Sequence, residues 1–107
     1  MSGYYSFNIA DDSLKKEISS TQFNFTHKSE LNRVVNNADG IITVDLSDFA
    51  TVTALMVTTT LAISLVVNGV AVLVENFLFT ELTDLTSLTV ACSDATGSTV
   101  KIIAWGT

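Results

Sequence analysis

Few side chains in this sequence could carry a reaction. His27 is the one imidazole and Cys92 the one thiol. Nucleophilic catalysis needs a Ser, Thr or Cys beside a base that a third group orients. His27 is the only candidate base of that kind. It sits in the alternating run TQFNFTH, with Phe23 and Phe25 on its own face. There is no G-x-S-x-G, and nothing around Cys92 resembles a nucleophile motif. A tight zinc site draws on several Cys or His ligands, where this chain has two in total. His27 therefore reads as a structural residue at the edge of the core. Cys92, in the alternation Leu88, Val90, Cys92, reads as a buried thiol packed like a small apolar side chain.

Carboxylates offer a second kind of chemistry. Asp45 and Asp48 flank a turn, Asp11 and Asp12 are adjacent, and Asp84 and Asp94 stand near loop positions. A glycosidase would hold two of them across a sugar cleft. Calcium would need several oxygens converging on one point, and the spacing of a helix-loop-helix site is missing. Asp beside a turn commonly caps local backbone, and that is the reading adopted. No catalytic residue, metal ligand or cofactor is expected, and the chain reads as non-enzymatic.

Aromatic residues are the remaining candidates. A sugar-binding module presents a platform of exposed rings along one sheet face, whereas Tyr4, Tyr5 and Trp105 lie near the chain ends. Trp105 reads as a residue that seals one end of the core or touches another subunit. Tyr4, Tyr5 and Phe7 belong to an N-terminal arm that orders on docking. These four are the expected partner or oligomer contacts. Asn24-Phe25-Thr26 is formally a glycosylation sequon. However, Met1 to Ala10 lacks the basic start and apolar run of a secretory signal, which points to synthesis in a cytoplasm.

The elements that would position these residues are strands. The chain has 107 residues, 48% hydrophobic and 15% charged, so Thr, Ser and Asn must surface it. One domain is expected over residues 20–107, preceded by the arm at 1–19. The balance of 11 acidic against 5 basic residues leaves a net charge of −6. Lys15, Lys16, Lys28, Arg33 and Lys101 are too scattered to release counterions from a phosphate backbone, so no nucleic-acid partner is expected. Residues 49–74 form an uncharged run long enough for a spanning helix. It is rich in β-branched residues and contains Asn68-Gly69, the strongest short hairpin signal. Strands are expected there, and no membrane partner.

The alternation predicts a half-buried strand at 21–27 and a connection at 28–40. A strand with Ile42, Val44 and Leu46 inward follows at 41–46, and another at 52–58. The hairpin 61–67/70–76 is best specified, with Val67 opposite Val70, Leu65 opposite Val72 and Ile63 opposite Val74. A second hairpin is predicted between 86–93 and 99–105, pairing Cys92 with Val100, Val90 with Ile102 and Leu88 with Ala104. The loop from Asp94 to Ser98 would hold Gly97 left-handed. The sum is an all-β chain, a single antiparallel sandwich of about seven or eight short strands, jelly-roll-like.

Three segments carry a resemblance: IITVDLSDFATVTALMV, NGVAVLV and LTSLTVACSDATGSTVKIIAWGT. Val/Leu/Thr strands end in SLTV, a Ser/Asp/Gly turn and V-x-I-x-x-x-G. From Gly40 to Thr107 the chain thus resembles the small jelly-roll proteins that decorate or cement phage capsids. The resemblance implies a non-catalytic protein on the capsid exterior of a virion, binding the major capsid protein at joints between its subunits. It implies a homo-oligomer, most commonly a trimer. A tail or fibre attachment module and a carbohydrate-binding module are the alternatives. Acidity fits an outside position, since packaged DNA repels it. Apolar or Thr residues on both faces of 52–58 and 61–67 fit either a neighbour on the outer face or burial within one sandwich.

Overall fold

The computed structural model describes residues 1–10 and 15–107, with side chains at 1–7 and 21–107. Ten strands are described: β1 (Ser2–Ala10), β2 (Lys15–Asn24), β3 (His27–Val35), β4 (Ile42–Thr43), β5 (Val52–Thr59), β6 (Ile63–Val67), β7 (Val70–Val74), β8 (Phe77–Glu81), β9 (Leu88–Ala91) and β10 (Ser98–Gly106). A 3-10 turn, Asn37–Asp39, is capped by the Asn36 side chain. Strands β1 and β2 pair as a separate hairpin. The other eight form two antiparallel sheets, ordered β3-β10-β5-β8 and β4-β9-β6-β7. Successive strands cross between the sheets except at β6-β7, and the order is that of a jelly roll built from two Greek keys. The chain is an all-β sandwich.

The Asn68-Gly69 hairpin forms in the expected register, Val67 opposite Val70 through Ile63 opposite Val74. Asn68 (φ 50) and Gly69 (φ 84) both take positive φ, the backbone of a type I′ turn whose twist matches its strands. Asn68 also ties down the neighbouring loop. Its Oδ1 accepts from the Thr86 and Ser87 amides at 2.8 and 3.1 Å, and its Nδ2 donates to the Asp84 carbonyl at 2.8 Å. The uncharged run at 49–74 thus supplies β5, β6 and β7, and no helix among the described residues is long and apolar enough to cross a membrane.

The second expected hairpin does not form. Strand β9 pairs with β4 and β6, and β10 pairs with β3 and β5, so the two lie in opposite sheets. Leu88, Val90 and Cys92 do meet the same core as Val100, Ile102 and Ala104, but across the sandwich rather than alongside. Matched apolar alternation is equally satisfied by two strands facing each other through a core. The loop chemistry is nonetheless as expected: Asp94 Oδ1 accepts from the Thr96 and Gly97 amides, and Gly97 has φ 95.

Other expected bounds change as well. Residues 28–35, read as part of a connection, belong to β3, an edge strand whose core-facing side carries Ser29, Leu31, Arg33 and Val35, of which only Val35 is buried. The run 21–27 is not one strand: β2 ends at Asn24, and Phe25-Thr26 turn the chain into β3. There the Phe25 amide donates to the Met1 carbonyl and the Thr26 amide to the Gly106 carbonyl. The expected boundary between residues 19 and 20 falls inside β2. The core itself gathers Val35, Leu55, Val57, Ile63, Leu65, Leu88, Val90, Val100 and Ile102 between the sheets.

Candidate functional site

The sheet β3-β10-β5-β8 turns an apolar outer face to the N-terminal hairpin. Its register sets Trp105, Ala54 and Glu81 in one row, Ile103, Met56 and Phe79 in the next, and Lys101, Thr58 and Phe77 in a third. Ala54 and Ile103 are buried, yet neither belongs to the sandwich core. A second, smaller apolar layer therefore lies on the outside of this sheet, and Phe23 of β2 is its centre.

Phe23 is 7% exposed and touches four other rings. Its centroid is 5.3 Å from Trp105 in an edge-on pair, and 6.1 to 6.3 Å from Phe25, Tyr5 and Phe79. Well-placed aromatic pairs contribute about 0.5–1.5 kcal/mol each beyond the area they bury. Opposite Phe23 in the hairpin stands Gly3, and the Phe23 ring occupies the space a side chain there would fill. Glycine at this position is what lets the ring fold across β1.

Strand β1 contributes the rest of the arm's contact. Tyr5 packs on Phe79 at 4.5 Å, and its hydroxyl donates to Glu81 Oε2 at 2.7 Å. That bond, with smaller contributions from desolvation and the Glu81 charge, raises the Tyr5 pKa above its ordinary 10.0. Phe7 stacks with Phe77 at 6.2 Å, two residues further along the same face. Between arm and sheet lies an open aromatic cleft of about 790 Å³, lined chiefly by Tyr5, Phe7, Phe23, Phe77, Phe79 and Trp105. Tyr4 also lines it while remaining 65% exposed.

The structure thus brings together Tyr4, Tyr5, Phe7 and Trp105, which stand at opposite ends of the sequence. Sequence reasoning did not find Phe25, Met56, Phe77 or Phe79 as lining residues, and it read Phe23 only as part of a strand. The signal available was the FLF of residues 77–79, which sets two rings on one face of a strand. Trp105 is a wall of the cleft on the outer face of β10, not a seal on the sandwich core.

The remaining candidates are dispersed. His27 is exposed at the start of β3, with its ring edge-on to Phe49 at 6.5 Å. Cys92 is buried, its thiol 3.7 Å from the Ala62 carbonyl. Asp45 accepts from the Ser47 amide at 2.9 Å, and hydrogen bonds to Ser47 hold its carboxyl below the usual range. With Asp94 it does the turn-capping work expected of it. Asp11 and Asp12 lie outside the described residues, as do the side chains of Lys15 and Lys16. Among the described residues, no three His, Cys, Asp or Glu side chains gather as a metal site would require. Compared with models of known protein families and with curated protein sequences, the chain matches none.

Proposed function

We propose that this chain is a non-enzymatic structural protein of a virus particle, a decoration or cement protein. In this reading it binds the capsid exterior at joints between major capsid subunits. The observation that carries the reading is the aromatic cleft beneath the arm. Rings are the side chains that protein partners most often anchor on, and here several are grouped on the surface rather than sealed inside. Tyr4, Phe7 and Phe77 are exposed at the cleft and are the residues a capsid subunit would cover. The jelly-roll strand order agrees with the fold that the sequence resemblance implies, and a net charge of −6 suits a position away from packaged DNA.

The carbohydrate-binding alternative has less support. Sugars stack on free ring faces, whereas Phe7 stacks with Phe77 and Trp105 packs against Phe23. Mixing purified protein with undecorated capsids tests the proposal. Saturable binding is expected, weakened at least tenfold by Phe7→Ser combined with Phe77→Ser. Absence of saturable binding contradicts the reading, and a specific glycan-array hit lost in the same double variant would favour the alternative.

A further inference from the structure

Four strand edges end the two sheets, at β3 and β8 in one and β4 and β7 in the other. Exposed edges invite pairing with another chain, and folded proteins blunt them with charge, brevity or a covering segment. Three of these edges are blunted. Strand β3 carries Lys28, Glu30 and Arg33, and β4 is two residues long. Along β8 the arm lays Tyr5 and Phe7 over Phe79 and Phe77. Strand β7, VAVLV, has five residues with no charge and no proline.

The hydrogen-bonding pattern of β7 follows from its turn. In a two-residue hairpin the closing pair Val67 and Val70 is hydrogen-bonded, and the alternation continues from there. Val70, Val72 and Val74 therefore direct their main-chain groups to β6, while Ala71 and Leu73 direct theirs outward. No sheet partner among the described residues meets that outward side. Val70, Val72 and Val74 share the core-facing side of the sheet, yet only Val74 is buried. Val70 stays 65% exposed and Val72 37%, because β7 overhangs the sandwich, and Leu73 on the other face is 68% exposed.

The geometry points to a second copy of this chain as the partner of that edge, paired antiparallel through β7 about a two-fold axis at Val72. The strand is self-complementary in full overlap. Ala71 and Leu73 would exchange both main-chain hydrogen bonds with Leu73 and Ala71 of the second copy. On the core side Val72 would meet its own copy and Val70 would meet Val74, covering the overhanging valines. On the outer side small Ala71 would lie opposite large Leu73. The nearest charge, Glu75, would fall opposite Gly69, so no like charges face each other. Such a pairing is isologous and closes at two chains, joining two four-stranded sheets into one. It is independent of the capsid reading.

A five-residue edge is a small interface beside the ~1,600 Å² of standard complexes, so the association is expected to depend on concentration. Each copy carries a net charge of −6, so added salt should favour pairing by screening repulsion. Sedimentation velocity from about 1 µM to about 1 mM should show the mass rise from one chain to two. Ala71→Pro removes an outward donor without touching the β6–β7 ladder, and Val70→Lys places a charge on the overhang. Either variant should lower the association at least tenfold.

Register is read by cross-linking with diamide. In Val72→Cys the two thiols would face each other in a non-hydrogen-bonded pair, with Cα atoms about 4.5 Å apart, within disulfide reach. In Leu73→Cys they would stand two residues out of step, about 7 Å along the strands before the lateral spacing is added. Concentration-dependent dimers that cross-link in the first variant and not the second support the inference. A chain that stays single throughout overturns it, as does a trimer, or pairing that survives both Ala71→Pro and Val70→Lys.

Discussion

The two sheets of the sandwich differ in what lies on their outer faces. Outside β3-β10-β5-β8 sit Trp105, Met56, Phe79 and Phe77, partly roofed by the N-terminal hairpin through Phe23. Outside β4-β9-β6-β7 the register sets Thr43, Thr89, Val66 and Ala71 in one row and Ala91, Ser64 and Leu73 in another. The roofed face carries large rings, and the bare one uncharged aliphatic and hydroxyl side chains with no ring among them. Apolar residues on both faces of a strand therefore have two meanings in one molecule. In β5 the second face is covered by the chain's own arm, whereas in β6 it is left to small residues that water tolerates. The roof is also incomplete, and the cleft it leaves is where the proposed partner contact lies.

Removing the keystone of the roof should have the largest effect. Phe23→Ala deletes four ring contacts and is expected to cost about 3–5 kcal/mol, as for other buried phenylalanines. Trp105 emission should shift to the red as the arm lifts. Denaturant unfolding with fluorescence and far-ultraviolet dichroism checks both. If stability and emission stay unchanged, the two outer faces do not differ as described.

Gly3→Val attacks the same roof from the other strand. The added side chain must displace the Phe23 ring, so a loss of about 1–3 kcal/mol is expected, with the same red shift in Trp105 emission. Introduced into Phe23→Ala, the substitution should cost much less, because the ring it collides with is gone. A double-mutant cycle that shows simple additivity would break the link between the two positions.

On the bare side, Asn68→Gly keeps a residue suited to positive φ but deletes the side chain that holds residues 84–87. A loss of about 1–3 kcal/mol is expected from the amides left without their acceptor. Trp105 emission should not move, since the arm is untouched. This contrast with the two roof variants is measured in the same unfolding experiment.

The smallest effect is on pH dependence. The Tyr5 pKa is raised in the folded chain by its bond to Glu81, so its contribution is fully present below the ordinary value of 10.0. It is lost as pH rises through the folded value, where a phenolate would face the carboxylate. Wild-type protein should therefore show an alkaline step in Trp105 emission, and Tyr5→Phe should lack it.

Much of the sandwich was legible because local signals in it are strong. Asn68-Gly69 sets a turn type, and the aliphatic alternation on both sides admits one register. Strand β3 was hidden because an edge strand needs only one partly apolar side, and Ser29 and Arg33 dilute its period. The pairing of β9 with β10 was misread because turn chemistry at Asp94 and Gly97 fixes the loop but not the sheet each strand joins. Tyr4, Tyr5, Phe7 and Trp105 stand out in the sequence as aromatic residues near the chain ends, yet their convergence on one cleft could not be read there. That depends on the jelly-roll order, which brings the C-terminal β10 to the centre of the sheet the N-terminal hairpin covers. Phe23 gave no distinct signal, since a buried ring on a half-buried strand looks the same whether it faces a core or an outer layer.

The most direct test of the functional account is the copy number of this chain in purified virus particles, by quantitative mass spectrometry against the major capsid protein. The account predicts a fixed stoichiometric ratio, retained through density-gradient purification. Absence of the chain from such particles, or a ratio that falls with each purification step, would contradict it.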